Sequence, residues 1–154
     1  MPEVSPVPSE YGSIVVQLVV RDAAAAAEFY RRAFDADELF RHQWQDDPRV
    51  FHCELLIGSG RVMLQDEFPD RRLVAPTTLG GSPTTIHLYV PDVDTVYQRA
   101  VKAGGTTLSE PKDQFYGERS GGVRDVCGNH WYIATQTEIV SNEEIEERVA
   151  KLAG

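Results

Sequence analysis

One pattern in this sequence occurs twice, and the repetition limits the folds that the chain can adopt. The pattern Leu-x-Val-x-Asp stands at residues 18–22 and again at residues 88–92. The first copy ends an apolar run rich in β-branched residues, which is typical of a buried strand, and the second copy ends a strand candidate at residues 85–90. Apolar residues at helical spacing then follow. The chain is therefore predicted to contain two copies of one module, each beginning with a strand and a helix.

The first module is predicted to span residues 13–67 and the second residues 84–137. Three strand candidates follow the helix in each copy, separated by turn residues. They lie at residues 38–45, 50–57 and 61–66 in the first copy and at residues 106–109, 120–124 and 131–135 in the second. Each module then has the order strand, helix, strand, strand, strand, and the fold class is α+β.

Three segments lie outside the modules, although the whole chain is expected to form one structural domain. Residues 1–12 contain three prolines and no apolar period, so they are predicted to be a flexible lead-in. Residues 68–83 form a polar connection that contains proline. Residues 138–154 are predicted to form a C-terminal helix, because Ser141 begins a capping-box pattern and a thin apolar stripe follows it.

The charge and composition exclude several classes of partner. The formal net charge is −9, which repels nucleic-acid phosphates and anionic lipid, so neither partner is expected. No apolar run approaches the ~20 residues of a membrane span, and the first residues lack the features of a signal peptide. Cys53 and Cys127 have no Cys-x-x-Cys spacing and are predicted to be reduced. We therefore expect a soluble, cytoplasmic protein.

Residues 114–131 are the strongest candidate for the lining of a binding pocket. This stretch combines aromatic, amide, imidazole and guanidinium side chains with four glycines, a mixture better suited to a polar pocket than to an apolar core. The same residues also fit a β-hairpin in which Gly121 and Gly122 loosen one strand and residues 125–129 form the turn. The two interpretations are compatible.

Four stretches together resemble the vicinal oxygen chelate superfamily, which contains glyoxalase I, fosfomycin-modifying enzymes, extradiol dioxygenases and bleomycin-resistance proteins. They are residues 18–30, 52–58, 63–67 and 114–131, and they are most similar to the PhnB-like branch. The resemblance covers residues 13–137. It implies tandem βαβββ modules that form a curved, barrel-like mixed sheet around a small-molecule cavity, commonly in a homodimer.

The resemblance also implies where a metal ion would be held. Catalytic members bind a divalent metal through His, Gln or Glu on the first and last strands of each module. The corresponding positions are Val15, Leu64, Thr85 and Tyr132, none of which is a usual ligand. No cofactor is therefore predicted, and a divalent metal at a displaced site is kept as an alternative.

That displaced site would use Gln17, Asp66 and His87, each two residues further along its strand. Side chains two apart share a strand face, so all three are expected to line the cavity implied by the resemblance. They could anchor a ligand, form an acid–base pair with His87 as the base and Asp66 orienting it, or hold a metal, in that order of preference. A core histidine with satisfied hydrogen bonds explains His87 equally well.

Further residues are predicted to contact the ligand. Arg119 could clamp an anionic or enolic group, unless a salt bridge to Glu118 or Asp125 occupies it. His52 shares a strand face with Glu54, although an exposed cross-strand pair explains these two as well as a site does. Trp131 belongs to the core by its position, but an indole at a cavity mouth can stack on a planar ligand. The remaining candidates are Gln65, Gln114, Tyr116 and Tyr132.

Three functions are consistent with these residues. The first is metal-free binding of a small, aromatic or hydrophobic metabolite. The second is an enzyme, either one that uses the displaced metal site or a lyase, isomerase, cyclase or transferase with His87 as base and Arg119 stabilising an enolate. The third is a structural dimer with a vestigial cavity. The binding protein is preferred because the usual metal ligands are replaced.

Overall fold

The computed structural model describes residues 4–153, and each half of this chain forms the predicted strand–helix–strand–strand–strand module. The first module consists of β1 (Val16–Val20), α1 (Ala23–Phe34), β2 (Asp37–Trp44), β3 (Asp47–Ile57) and β4 (Gly60–Asp66). A 3₁₀ turn (Pro69–Arg71) and the short α2 (Pro76–Leu79) follow. The second module consists of β5 (Thr85–Tyr89), α3 (Val93–Lys102), β6 (Thr106–Asp113), β7 (Glu118–Arg124) and β8 (His130–Gln136), and α4 (Asn142–Leu152) ends the described chain.

Both modules have the same sheet topology. The strand order is β1-β4-β3-β2 in the first sheet and β5-β8-β7-β6 in the second. In each sheet the first strand of the module pairs parallel with the last, and the other pairs are antiparallel. The α+β fold class predicted from the repeat is confirmed, with two four-stranded mixed sheets in one chain.

β6 is longer than the sequence indicated. It continues to Asp113, whereas the prediction ended this strand at Ser109. The ladder between β6 and β7 is irregular on both sides of Ser109, with register shifts before and after it. Pro111 has no N–H to donate to the ladder and therefore reads as a strand terminator in the sequence. The strand tolerates it because the register shifts here.

The repeated aspartates begin the two long helices. Asp22 accepts a hydrogen bond from the Ala25 amide at 2.9 Å, and Asp92 accepts one from the Thr95 amide at 3.1 Å. A side-chain oxygen near the end of the last strand also accepts from the first helical amide in each module. Asp66 accepts from Ala23 at 2.7 Å, and Thr135 Oγ1 accepts the corresponding bond from Val93 at 2.9 Å. The recurring Asp is therefore explained by helix capping.

The helices α1 and α3 pack against each other between the two sheets, and both modules share one core. At its centre, the rings of Tyr30 and Phe34 on α1 contact Trp131 on β8, with centroid separations of 5.2 and 4.8 Å. Asp125 accepts hydrogen bonds from the Tyr30 hydroxyl at 2.5 Å and from the Trp131 indole at 2.9 Å. This buried carboxylate therefore ties the second module to the helix of the first.

This arrangement gives each sheet a helix face, which is buried, and a distal face, which points away from the helices. Strand alternation and register place the following residues on the distal face of the first sheet: Gln17, Phe40, His42, His52, Glu54, Arg61, Met63 and Gln65. The ladder between β2 and β3 shifts register beside Phe51, and the Phe51 ring contacts the rings of His42 and Trp44 on this face. The distal face of the second sheet carries His87, Tyr89, Ser120, Gly122 and Tyr132. Because the helices lie between the sheets, the two distal faces of one chain point in opposite directions.

Candidate functional site

A continuous strip of aromatic rings crosses the distal face of the first sheet. The centroid of the Phe51 ring lies 4.3 Å from that of Trp44 and 5.9 Å from that of His42. The centroid of the Phe40 ring lies 5.2 Å from that of His42 and 5.6 Å from that of His52. We call these five residues the aromatic strip. Trp44 and Phe40 are partly exposed, with 46% and 36% of their surface accessible. Neighbouring, accessible rings on a sheet provide contact area for a planar ligand.

A buried carboxylate adjoins one end of the aromatic strip. Glu54 is only 1% exposed, yet it lies on the distal face. Its oxygens accept hydrogen bonds from the Tyr11 hydroxyl at 2.5 Å and from the Arg61 guanidinium at 2.8 Å, and His52 Nε2 lies 3.1 Å away. Burial alone would raise the pKa of Glu54, but these hydrogen bonds outweigh it and hold the pKa below its usual value. The group is therefore an ionised acceptor.

An amide pair lies on the same face, where β1 and β4 run side by side. The Gln17 amide donates to the Gln65 side-chain oxygen, and the Gln65 amide reaches the Asp66 carbonyl at 3.4 Å. Gln17 is exposed and Gln65 is buried. Neutral amides of this kind can donate to or accept from a polar group of a ligand.

The distal face of the second sheet presents a smaller aromatic pair. His87 and Tyr132 are direct neighbours on the parallel strands β5 and β8, and their rings stack with centroids 5.5 Å apart and planes inclined by 20°. Beside them, a side chain at Gly122 would approach the Tyr132 ring at 3.5 Å and the Ser109 hydroxyl at 3.0 Å. The glycine therefore leaves the outer side of Tyr132 unobstructed.

Polar groups of residues 114–131 also lie on the second sheet. Gln114 donates to the Ser120 hydroxyl at 3.1 Å, and the Tyr89 hydroxyl donates to Glu118 at 2.6 Å. The hydrogen bond to Glu118 raises the pKa of Tyr89. Tyr116 is half-buried and packs edge to face against Phe115 at 5.1 Å. The stretch contains the predicted hairpin, in which β7 pairs antiparallel with β8.

Comparison with known proteins decides the family. The model of the Glyoxalase/Bleomycin resistance protein/Dioxygenase superfamily matches residues 13–133. The chain belongs to this superfamily. Uncharacterized protein Mb0911c of Mycobacterium bovis is 44% identical over 132 residues, which cover 84% of this chain and 86% of the relative. Uncharacterized protein Rv0887c of Mycobacterium tuberculosis is also 44% identical over 132 residues, covering 84% of this chain and 77% of the relative.

Solved structures show the same fold at lower identity. TioX from Micromonospora sp. ML1 is 24% identical with a TM-score of 0.63, covering 84% of this chain and 100% of that one. The fosfomycin resistance protein FosX from Mesorhizobium loti is 20% identical with a TM-score of 0.59, covering 90% and 97%. A glyoxalase-related enzyme from Fulvimarina pelagi is 21% identical with a TM-score of 0.64, covering 80% and 87%. These likenesses establish the architecture of the superfamily in this chain.

The predicted grouping of Gln17, Asp66 and His87 is not formed in one chain. Gln17 and His87 lie on the distal faces of different sheets, and Asp66 lies on neither distal face. Its two oxygens accept from the Ala23 amide at 2.7 Å and from the Val50 amide at 2.6 Å, so it lies on the helix face of the first sheet. The prediction counted from Leu64, which points into the core. The residue of β4 that shares a face with Gln17 is Gln65, one position earlier.

Arg119 is also on a helix face. Its guanidinium pairs with Asp94 on α3 at 2.8 Å and with Asp113 at 3.3 Å, and these partners raise its pKa. His87 lies on the opposite side of the same sheet. The expected pairing of His87 as base with Arg119 as the enolate-stabilising group is therefore not assembled. Arg119 forms salt bridges, as the alternative interpretation predicted. Its partners are Asp94 and Asp113 instead of Glu118 or Asp125.

Trp131 does not line a cavity. It is 1% exposed and its indole N–H is bonded to Asp125, so it packs in the core between the modules. His52, Gln65, Gln114, Tyr116 and Tyr132 lie on or beside the distal faces.

The distal-face residues on the first and last strands of the two modules offer a metal ion a poor donor set. The distal face carries Gln17 and Gln65 in the first module and His87 and Tyr132 in the second, so the set contains two amides, one imidazole, one phenol and no carboxylate. The two amides are bonded to each other, and the only acid considered for the site, Asp66, caps α1. Divalent metals favour imidazole and carboxylate ligands. These residues therefore do not fit a divalent metal.

The sequence also contained a signal that the predictions missed. Residues 40, 42 and 44 are Phe, His and Trp, an aromatic alternation with the period of a strand. That alternation places three rings on one face and indicates the aromatic strip. Tyr11 gave no such signal, because it lies in a segment with no helix or strand.

No helix within residues 4–153 combines the length and apolar character needed to cross a bilayer.

Proposed function

We propose that this protein binds a planar aromatic small molecule between two copies of the chain, without a metal ion. The observation that carries the proposal is the aromatic strip, in which five rings adjoin one another on an accessible sheet face. Aromatic rings stack on planar ligands at low entropic cost, because they are held by their own neighbours. The nearby amides and Glu54 supply the few polar contacts that orient a ligand in such a site.

Two copies are required because the distal faces of one chain point away from each other. A ligand on the aromatic strip of one protomer is covered when the distal face of its partner's second sheet lies opposite. That face carries the exposed Tyr89, which is 61% accessible, and the His87–Tyr132 pair. A symmetric homodimer would then hold two equivalent sites, each built from a first sheet and a second sheet.

The metal-free part of the proposal rests on the donor set. His87 is the one imidazole among Gln17, Gln65, His87 and Tyr132, and the other donors are amides and a phenol. We assign these side chains to ligand anchoring instead. The metal-free enzymatic alternative paired His87 with Arg119, and these two residues lie on opposite sides of the second sheet.

We also propose a PhnB-like, bleomycin-resistance-like protein of the cytoplasm. The branch is supported by the four sequence stretches described above. The location is supported by the two cysteines, which are both free and buried. Burial raises the pKa of Cys53 to about 11 and that of Cys127 to about 12, so both remain unreactive thiols.

Tryptophan fluorescence tests the proposal, because the chain has two tryptophans in different places. Trp44 is in the aromatic strip and accessible, whereas Trp131 is buried in the core. Titration with planar compounds such as quinoline, 2-naphthol and anthraquinone-2-sulfonate should quench Trp44 and leave Trp131 unchanged. The variant Trp44→Phe keeps a ring in the strip and should show no quenching. Failure of every planar compound to quench the wild-type protein would reject the proposal.

A further inference from the structure

One of the side chains that hydrogen-bond to Glu54 comes from outside both modules. Tyr11 belongs to residues 4–13, which contain no helix or strand. Its hydroxyl meets Glu54 at 2.5 Å, and the Arg61 guanidinium carbon lies 5.0 Å from the centroid of its ring. The phenol is therefore held at both its polar and its aromatic parts.

The segment around Tyr11 is attached to the sheet through that residue. The other hydrogen bonds that the structure shows for residues 4–13 are internal, from Ser5 to the Val7 carbonyl, from Ser9 to Glu10, and from the Tyr11 amide to the Pro8 carbonyl. Most of these residues are exposed. A segment with so few contacts to the rest of the chain opens at low cost, so the Tyr11 phenol can leave Glu54 without unfolding a module.

We propose that Glu54, Arg61 and His52 form a subsite for the phenolic hydroxyl of a ligand, and that Tyr11 fills it when no ligand is bound. This inference rests on the proposed function and names the chemical class of the ligand as a hydroxylated aromatic compound. The ligand's rings would lie on the aromatic strip, which His52 connects to Glu54. Its hydroxyl would replace that of Tyr11.

The charges around Glu54 favour a neutral hydroxyl over other polar groups. An ionised carboxylate only accepts hydrogen bonds, so its ligand must donate one. A carboxylate or phosphate on the ligand would be repelled by Glu54. An ammonium group would be repelled by Arg61, which already pairs with Glu54 at 2.8 Å. A phenol donates without adding a charge, and its ring face accepts the guanidinium as Tyr11 does.

Two matched naphthalenes test the subsite by calorimetry. 2-Naphthol can donate to Glu54, whereas 2-methoxynaphthalene has the same rings and cannot. The Tyr11→Ala variant should bind 2-naphthol about tenfold more tightly than the wild-type protein, because the competing phenol is gone, and should prefer it to 2-methoxynaphthalene by about tenfold. The Tyr11→Phe variant, which keeps the ring without its hydroxyl, should fall between the two. Adding Glu54→Gln to Tyr11→Ala should remove most of the preference.

Several outcomes would overturn the subsite. Equal affinity of wild type and Tyr11→Ala for 2-naphthol, or no preference between the naphthalenes in Tyr11→Ala, would each do so. If circular dichroism shows that the Glu54→Gln variant does not fold, the affinities of the Tyr11→Ala and Tyr11→Phe variants alone test the subsite. Equal binding of both naphthalenes with quenching of Trp44 would reject the subsite and leave the aromatic-ligand proposal standing. Selective binding of 2-naphthol without quenching of Trp44 would reject the strip and support the subsite.

Discussion

Gln65 and Asp66 are neighbours in the sequence that lie on opposite sides of the first sheet. Gln65 bonds to Gln17 on the distal face, while Asp66 receives the amides of Ala23 and Val50 on the helix face. If the strand register is predicted with an error of one residue, each of the two side chains is assigned to the wrong face of the sheet. This is why the sequence analysis grouped Asp66, rather than its neighbour Gln65, with Gln17 and His87.

Substitution of these two residues should separate stability from binding. Asp66→Ala leaves two buried amides without a partner, and we expect it to lower the free energy of unfolding by about 2–3 kcal/mol while a planar ligand still binds. Gln65→Ala should weaken ligand binding and change stability less. Urea unfolding and titration of Trp44 fluorescence measure the two effects. Loss of ligand binding in a folded Asp66→Ala protein would contradict the assignment of Asp66 to the helix cap.

At the scale of elements, the hairpin between β6 and β7 is fixed by the backbone of the chain that follows it. Gly117 adopts a φ of +89°, and its carbonyl accepts the amides of Thr137 at 2.9 Å and Glu138 at 3.1 Å. A Cβ atom at Gly117 would lie 2.6 Å from the Glu138 carbonyl oxygen. The turn that presents Gln114 and Tyr116 is therefore clamped against residues 137–138.

Two glycine substitutions should distinguish this clamp from backbone strain alone. Gly58 also has a positive φ, +57°, but a Cβ atom there meets nothing within 4 Å. We expect Gly58→Ala to lower the free energy of unfolding by about 1 kcal/mol, from the left-handed backbone only. Gly117→Ala should cost about 3 kcal/mol or more, because the added atom also collides with a carbonyl. Chemical denaturation of both variants is the measurement, and equal costs would argue against the clamp.

The element order was predictable from the sequence, and the irregular parts of the elements were not. An apolar run identifies β1, and helical spacing identifies α1 and α3 because each of these helices buries one regular face. β6 was cut short at Pro111, since a register shift that tolerates proline has no local signal. The contact of Tyr11 with Glu54 joins residues far apart in the chain, and nothing in the lead-in segment indicates it.

At the scale of the whole molecule, the repeat predicted two modules but not how they are placed. Two βαβββ units can enclose a cavity within one chain or turn their sheets outward, and both arrangements have the same sequence pattern. The outward arrangement is decided by side chains at the centre, where Tyr30 and Trp131 share Asp125 and α1 packs on α3. The proposed ligand site would therefore need a second copy of the chain.

A charge on the distal face should dissociate the proposed homodimer and remove ligand binding with it. Phe40 is 36% exposed on that face, and Val101 on α3 is 38% exposed in the helix layer, so the two are matched in accessibility. Phe40→Glu places a carboxylate in the proposed interface. We expect this substitution to raise the dimer dissociation constant about tenfold or more. The control substitution Val101→Glu should leave the dissociation constant unchanged. Sedimentation equilibrium distinguishes the 17.2 kDa chain from its dimer. If the wild-type protein is monomeric at all concentrations and still binds planar ligands, one distal face is sufficient for ligand binding. If the dimer persists in the Phe40→Glu variant, the dimer interface lies on another surface.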